Sequence, residues 1–328
     1  MRRTEKSGWG GWIRATAVML AAALLMPACA GNDPREVVLE PLRQDLALQT
    51  GRVEVDKNLS MHYIEAGSGP PVVLVHGWLC SGAFWQNQIP VLARHHRVIA
   101  VDCIGCGFSD KPLDDEISYV ADNQARWILA LADRLGLERF SVAGHSLGGH
   151  IAAKIALAAP ERVDKLVLLN ASGLAENPRL LPWYLRAGRF LHLDGPALMV
   201  ASRLTIITTT RLCMYHPDNP VDNYFIDQLA ATSFACFKNR RAVIKLTREA
   251  LFQSCVDDRI GEVQTPTLLI SSTADQVVPP ELGLRYLGLL PHARLELVAE
   301  AGHLMPLEQP QQVNRLMMGF LDRSADDA

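Results

Sequence analysis

The feature that most constrains this chain is a serine flanked by glycines, which follows a short apolar segment. Residues 140–143 are mainly apolar, and Gly144, His145, Ser146, Leu147 and Gly148 come next. This pattern predicts a strand, a tight turn at the serine, and a helix whose first amides surround the hydroxyl. The two glycines stand where side chains would collide in such a turn. We interpret Ser146 as a nucleophile, because the turn holds its hydroxyl clear of the backbone.

The rest of the sequence is typical of one large globular core. The chain has 328 residues, of which 49% are hydrophobic, and a net charge of −3. The continuous apolar run at 71–75 is typical of a parallel strand covered on both faces. Residues 97–101 and 163–169 are mainly apolar and are predicted to be further strands, and helical patterns alternate with all three. We therefore predict an α/β fold with a mainly parallel sheet and flanking helices. No basic run is interleaved with aromatic residues, so a nucleic acid partner is not expected.

The alternation of strands and helices stops between residues 174 and 258. Helical patches broken by prolines fill this stretch, and they contain apolar residues such as Trp183 and Phe190. We predict a helical cap inserted into a core made of residues 51–173 and 259–325. Because the insertion leaves the sheet just after a strand, it should lie near the serine and line an apolar pocket.

The first thirty residues differ in character from the rest. Basic residues precede a short apolar run at 15–26, and Ala28, Cys29 and Ala30 follow. This pattern predicts a secretory signal over residues 1–30, since the apolar run is short for a bilayer span. Cleavage after Ala30 and lipidation of Cys29 both stay open. Either outcome places the protein in the periplasm or cell envelope, and lipidation attaches it to a membrane.

A tether is predicted to connect this signal to the core. Residues 31–50 are mixed and polar, with prolines as breakers, and we predict one short helix among them. They contain no recognisable catalytic or binding motif.

Six cysteines follow the predicted signal, and an oxidising compartment would permit disulfides among them without fixing their pairing. Cys103 and Cys106 have the C-x-x-C spacing of redox and metal sites, but no second such pair accompanies them. Gly105 and Gly107 lie in the same loop, where the third glycine of a dinucleotide fingerprint is missing. We therefore predict neither a metal nor a cofactor.

The loop after the strand at 71–75 is a candidate for charge stabilisation. Gly77 lets the backbone turn sharply, so that the N–H of Trp78 can point into the space above Ser146. Together with the N–H of Leu147 it would form an oxyanion hole. We predict that His76 is structural, with its ring fixing this loop by hydrogen bonds.

An acid and a base complete the candidate site. Asp275 follows a buried strand at 267–271, and His303 follows the last strand with Gly302 before it. Ser146, Asp275 and His303 each come just after a strand, at the same edge of the predicted sheet. Their order along the chain is nucleophile, acid, base.

Together these motifs resemble the α/β-hydrolase fold serine hydrolases over about residues 50 to 322. The resemblance rests on His76-Gly77, Asp102-x-x-Gly105-x-Gly107-x-Ser109, Gly144-x-Ser146-x-Gly148-Gly149, the Asp275 loop and Gly302-His303. It implies that Ser146 is the nucleophile, that His303 is the general base and then acid, and that Asp275 orients His303. It also implies the oxyanion hole and no cofactor.

One difference within the family narrows the chemistry. The loop at 102–112 is similar to that of haloalkane dehalogenases and epoxide hydrolases, but those relatives have an aspartate in place of Ser146. Carbon–carbon bond hydrolases of aromatic-ring degradation use serine, and commonly have tryptophan where this chain has Leu304. We therefore favour an exported esterase or lipase whose substrate is a small-molecule apolar ester with a medium or longer acyl chain. A carbon–carbon hydrolase or acyltransferase with the same triad, and a non-catalytic ligand-binding envelope lipoprotein, are the alternatives.

Overall fold

A computed structural model describes residues 34–43, 47–174, 198–215, 222–250, 255–256 and 259–323. The predicted signal with Cys29 lies outside these ranges, as do Trp183 and Phe190 of the predicted cap. In the part of the chain that the structure describes, no helix is long and apolar enough to cross a membrane.

The described strands form one eight-stranded sheet in the order β1-β2-β4-β3-β5-β6-β7-β8. Strand β2 is antiparallel to both of its neighbours, and the remaining pairs are parallel. The strands are β1 (Gln49–Asp56), β2 (Leu59–Ala66), β3 (Pro71–Val75), β4 (Arg97–Val101), β5 (Phe140–His145), β6 (Val163–Leu169), β7 (Thr267–Ser272) and β8 (Ala293–Val298). The predicted fold class, with its mainly parallel sheet, is confirmed.

Helices cover the sheet and extend beyond it. They are α1 (Pro34–Arg43), α2 (Ile89–Leu92), α3 (Ala121–Arg134), α4 (Leu147–Ala158), α5 (Arg203–Leu212), α6 (Asn223–Thr232), α7 (Phe237–Ala250), α8 (Pro280–Leu289), α9 (Met305–Glu308) and α10 (Pro310–Leu321). Helices α5, α6 and α7 lie between β6 and β7, within the stretch predicted as a cap. We refer to these three helices and residues 198–202 and 213–215 as the cap.

Period-two alternation in the central strands builds a core on each face of the sheet. In β3, Val73 and Val75 pack into one apolar cluster, while Val72 and Leu74 pack into the other. All four side chains are buried, and burial of each such aliphatic side chain contributes about 1.5–3 kcal/mol. Because both faces are covered, the strands are fixed in register. The loops after β3, β5, β6 and β7 therefore meet at one edge of the sheet.

From the sequence we predict one helix over about 83–93, and this prediction is wrong. The structure has a 3-10 turn at Gly82–Trp85 followed by α2, because Pro90 lacks an N–H and begins a new helix instead of continuing the first. The segment predicted as a tether contains α1, whose Val38 and Leu39 are buried. The Tyr224 hydroxyl of α6 donates to the carbonyl of Val38, so α1 is part of the folded unit.

The alternating pattern at 59–64 predicts a half-exposed strand with a solvated His62, but the structure buries this side chain. Its Nδ1 lies 2.9 Å from Oδ2 of Asp102, and the ring packs edge-on against Phe108. Burial raises the pKa of Asp102, but His62 and the N–H groups of Phe108 and Gly82 outweigh it and lower that pKa to about 2. Asp102 therefore ties β2 to the loop after β4.

The six described cysteines are free thiols, so the structure contains none of the disulfides that the sequence permitted among them. Cys103 and Cys106 are both buried. Burial raises the pKa of Cys103 well above its ordinary value and that of Cys106 to about 12. Both are therefore thiols rather than thiolates at neutral pH, unlike a redox or metal-binding pair.

Candidate active site

Ser146 lies in a strained turn between β5 and α4. Its φ of 54° and ψ of −119° fall in a region that L-residues rarely adopt. A Cβ at Gly144 would stand 2.1 Å from the carbonyl oxygen of Gly148, and one at Gly148 would stand 2.1 Å from that of Val75. Only glycine fits at both positions. The sequence around Ser146 thus forces its hydroxyl outward at the end of the strand.

Ser146, His303 and Asp275 form one chain of hydrogen bonds. The Nε2 atom of His303 lies 3.0 Å from Oγ of Ser146, and its Nδ1 atom lies 2.7 Å from Oδ2 of Asp275. The second carboxylate oxygen, Oδ1, accepts the N–H groups of Val277 and Val278 at 2.7 and 2.8 Å. Both oxygens of Asp275 are thereby held as acceptors. Nδ1 of His303 must carry the proton, which leaves Nε2 free to accept one from the serine.

The two predicted oxyanion donors belong to segments that adjoin Ser146. Leu147 is the first residue of α4, so its N–H points out of the helix toward the serine. The loop that carries Trp78 packs closely here, since a Cβ at Gly77 would stand 3.2 Å from Cβ of Ser146. Within the described chain, neither the Trp78 N–H nor the Leu147 N–H donates to another residue. Both donors are available to a ligand oxygen.

His76 holds the loop between β3 and the Trp78 amide. Its Nδ1 donates to the Gly77 carbonyl at 2.7 Å, and its Nε2 accepts the Cys103 N–H at 3.1 Å. Burial lowers the pKa of His76, so the ring is neutral and its two hydrogen bonds fix one tautomer. These contacts match the structural role that the sequence predicted.

His145 is a supporting residue that the sequence analysis did not identify. Its ring lies between Phe84 and His303, with 4.8 Å between centroids on each side. Its Nε2 donates to the carbonyl of His303 at 2.7 Å. Burial, with the neighbouring His303, lowers the pKa of His145 well below its ordinary value. The ring therefore stays neutral, and adds no positive charge where His303 would become protonated. Its place beside Ser146 in the motif was the available signal.

Asn170 supports the same loop from β6. Its side-chain amide donates to the carbonyls of Gly302 and His303 at 3.2 and 3.3 Å, and to Oγ of Ser272 at 2.9 Å. Its Oδ1 accepts the Ser272 N–H at 2.8 Å. Asn170 therefore joins the loops after β6, β7 and β8. In the sequence, Asn170 is only a polar residue at the end of a strand, and nothing near it marks this role.

The cap contacts the loop of His303 directly. The N–H of His303 donates to the carbonyl of Cys213 at 2.7 Å, just beyond α5. Glu308 accepts the N–H of Gly302 at 3.0 Å with one oxygen and that of Tyr215 at 2.7 Å with the other. Burial raises the pKa of Glu308. A single carboxylate thus joins the loop of the base to the cap.

The cap also contacts the oxyanion loop. The indole N–H of Trp78 donates to Oγ1 of Thr247 in α7 at 2.9 Å, and the Ser233 hydroxyl donates to the carbonyl of Leu79 at 2.7 Å. Phe225 of α6 packs edge-on against Phe84. The described part of the cap therefore contacts the loop that bears the Trp78 donor as well as the loop that bears the base.

This arrangement is suited to attack by a serine hydroxyl on a carbonyl carbon. A base lies beside the hydroxyl, a carboxylate orients the base, and two N–H groups are available for negative charge on the carbonyl oxygen. The described residues contain no group of three or more His, Cys, Asp or Glu that could hold a metal ion.

Comparison with known proteins agrees with this geometry. The alpha/beta hydrolase fold family model matches residues 70–310. A 2-hydroxy-6-oxononadienedioate/2-hydroxy-6-oxononatrienedioate hydrolase of Pseudomonas putida is 32% identical, with 82% of this chain and 93% of the relative covered. A 2-hydroxy-6-oxo-6-(2'-aminophenyl)hexa-2,4-dienoic acid hydrolase of Metapseudomonas resinovorans is 30% identical, with 80% and 88% covered.

Among solved structures, a bacterial membrane phospholipase A superposes with a TM-score of 0.75 at 25% identity. The match covers 95% of this chain and 96% of that chain. The family match spans most of the chain and includes every residue of the triad. The protein is therefore a hydrolase that belongs to the α/β hydrolase fold family.

Proposed function

We propose that the protein cleaves carboxylic esters through an acyl-enzyme formed on Ser146. The observation that carries this proposal is the continuous hydrogen-bonded chain from Ser146 through His303 to Asp275. As the serine oxygen attacks the ester carbonyl, Nε2 of His303 takes its proton. The charge that develops on the carbonyl oxygen is stabilised by the N–H groups of Trp78 and Leu147.

The same histidine then acts as the acid and the base of the remaining steps. The imidazolium of His303, stabilised by Asp275, gives its proton to the departing alcohol, and the acyl group stays on Ser146. A water molecule next loses a proton to Nε2 of His303 and attacks the acyl carbon. The proton returns to Ser146 as the acid leaves. No group beyond these residues is needed to balance the steps.

An apolar acyl ester is the substrate class that we propose. The cap brings apolar side chains to the site, since Phe225 packs on Phe84 and Phe84 stacks on His145. The similarity to a phospholipase A over nearly the whole of both chains supports the same class.

A carbon–carbon bond hydrolase is the second candidate. It is favoured by the two relatives at 30% and 32% identity, whose names give keto-acid substrates. Leu304, which replaces the tryptophan common in that group, is buried in the core. We therefore place ester hydrolysis first.

A parallel assay separates the two candidates. Purified protein is given p-nitrophenyl esters of increasing acyl length and, separately, ring-cleavage dienones, with Ser146→Ala as the blank for both series. We expect release of p-nitrophenol that depends on Ser146 and rises from short to medium acyl chains. Turnover of the dienones with folded protein that leaves every ester intact would reverse the assignment.

We also propose that the chain is exported to the cell envelope, on the basis of its basic and then apolar first thirty residues. The intact mass of the protein from its native host distinguishes the two N-termini: an acylated Cys29, or an unmodified start after Ala30. An uncleaved chain recovered from the cytosol would contradict the proposal.

A further inference from the structure

The outer surface of the cap carries large apolar side chains in contact with solvent. Leu204 is 72% exposed and Phe237 is 65% exposed, which is unusual for residues of this size. Val200, Leu212 and Tyr215 are exposed as well. We name these five residues, with the exposed cations Arg211, Lys238 and Arg241, the cap face.

Helical spacing places two apolar residues of the cap face on one side of α5. Leu204, Thr208 and Leu212 follow each other at intervals of four residues, which aligns them along the helix, and Tyr215 lies three residues beyond its end. Ile206 lies on the opposite side and is buried. Thr208 donates to the Leu204 carbonyl, which occupies its hydroxyl within the helix. This side of α5 therefore has few polar groups that could bind water.

The first turn of α7 adjoins the start of α5. Arg240 donates to the carbonyls of Met199 and Ala201 at 2.9 Å each, so Val200 lies beside that turn. Phe237 begins the same turn, with the guanidinium of Arg241 6.0 Å from its ring centroid. The segment that carries Val200 and leads into α5 therefore adjoins the turn that carries Phe237.

The charge on this surface has one sign. Residues 198–215 and 233–244 contain Arg and Lys but no Asp or Glu, although the whole chain has a net charge of −3. Arg203 pairs with Asp227 of α6, so its charge is balanced locally. Arg211 and Lys238 form no ion pair with a described residue. Cations beside exposed apolar groups are complementary to a layer with apolar interior and anionic surface.

From this combination we infer that the cap face docks on an anionic lipid bilayer. A bilayer covers the apolar side chains and the cations together, without shape complementarity. The docked position also suits the site, because the cap face ends at Tyr215, whose N–H shares Glu308 with the loop of His303.

The place of α1 agrees with this orientation. The helix lies against α6 of the cap, through the hydrogen bond from Tyr224 to Val38. Cys29 precedes Pro34 by five positions, a reach of at most about 18 Å. If Cys29 carries lipid, as we propose for the envelope protein, the anchor and the cap would face the same membrane.

Vesicle binding tests the inference. The protein from Gly31 onward retains every described residue, and it is sedimented with phosphatidylglycerol vesicles and, separately, with neutral phosphatidylcholine vesicles. We expect binding to the anionic vesicles that weakens as salt is raised. The double variant Leu204→Ser/Phe237→Ser should bind about tenfold less, and Arg211→Gln and Lys238→Gln should each reduce binding about fivefold.

Matched variants remove leucines of similar exposure elsewhere. Leu284 of α8 and Leu297 of β8 are 56% and 52% exposed, and their double serine variant should bind like the parent. Ser146→Ala should also bind normally, so failure of the ester assay leaves this test intact. Thermal unfolding verifies that each variant is folded.

Two outcomes would overturn the inference. One is equal vesicle binding by the cap-face variants and the matched variants. The other is absence of vesicle binding by the parent, including the case where the cap face instead joins two copies and Leu204→Ser/Phe237→Ser makes a dimer monomeric.

Discussion

Replacing Asp275 with asparagine tests how the base is oriented. In the native site one carboxylate oxygen accepts N–H from His303 and the other accepts N–H from Val277 and Val278. Asparagine can satisfy the two backbone donors only with its carbonyl oxygen. Its NH₂ group must then face Nδ1 of His303. The ring has to accept there, which puts its proton on Nε2, facing Ser146.

This tautomer cannot take a proton from the serine hydroxyl. The corresponding change in serine proteases lowers kcat about 10⁴-fold, and we expect a loss of that size here, equal to about 5.4 kcal/mol in the activation barrier. The fold should change little, because the asparagine oxygen still accepts from Val277 and Val278. Asp275→Ala removes that acceptor. The N–H of Val278 is buried and would lose its partner, which should cost about 1–3 kcal/mol of unfolding free energy, while the partly exposed N–H of Val277 can bind water.

Two measurements separate orientation of the base from folding. The first is kcat for the best p-nitrophenyl ester, together with the rate at which a fluorophosphonate labels Ser146, which does not depend on the natural substrate. The second is the free energy of unfolding in urea. We expect Asp275→Asn to lose activity but keep stability, while Asp275→Ala loses both. An Asp275→Asn variant with kcat within about tenfold of the parent would refute the assigned tautomer.

Two further predictions concern residues that hold the fold around the site. Gly148→Ala should lower the free energy of unfolding by about 3 kcal/mol in urea titrations, because its Cβ would meet the Val75 carbonyl at 2.1 Å; Gly319→Ala in α10 has open space and should cost nothing. The pKa of Asp102 is about 2 when folded, against an ordinary 3.8. Its ionised form therefore adds about 2 kcal/mol of stability above pH 4, and this is lost as the pH falls through 2. Unfolding measured across that range should show a shallower pH dependence for Asp102→Asn, and an unchanged slope would contradict the role given to its partner His62.

The strands of the sheet were predictable because each is marked by the residue pattern within its own segment. The run at 71–75 contains only proline and aliphatic residues, and β3 has the same bounds in the structure. A strand buried on both faces has to be apolar throughout, so the sequence marks where it begins and ends. His62 shows the limit of this reasoning. Its burial depends on Asp102, forty positions further along the chain, which no pattern within β2 reveals.

The candidate site also contains residues that the local sequence reveals and residues that it does not. Ser146 carries its own signature, since Gly144 and Gly148 stand at fixed offsets from it. The groups that hold His303 in place have no such signature. Asn170 and Glu308 contact its loop from separate parts of the chain, and neither follows a pattern that the sequence could have exposed. The relative positions of these loops depend on contacts between distant parts of the chain, which the sequence does not reveal.

The contacts of the cap bear on how substrate selection and catalysis are connected. The N–H of His303 donates to the carbonyl of Cys213, and the indole N–H of Trp78 donates to Thr247. The loop of the base and the loop of the Trp78 donor are therefore both hydrogen-bonded to the cap. A cap displaced by a poorly fitting substrate would release these bonds and loosen the base and the Trp78 donor together. Selection by the cap should therefore act on kcat as well as on KM, because a substrate that seats the cap also completes the groups that the transition state needs.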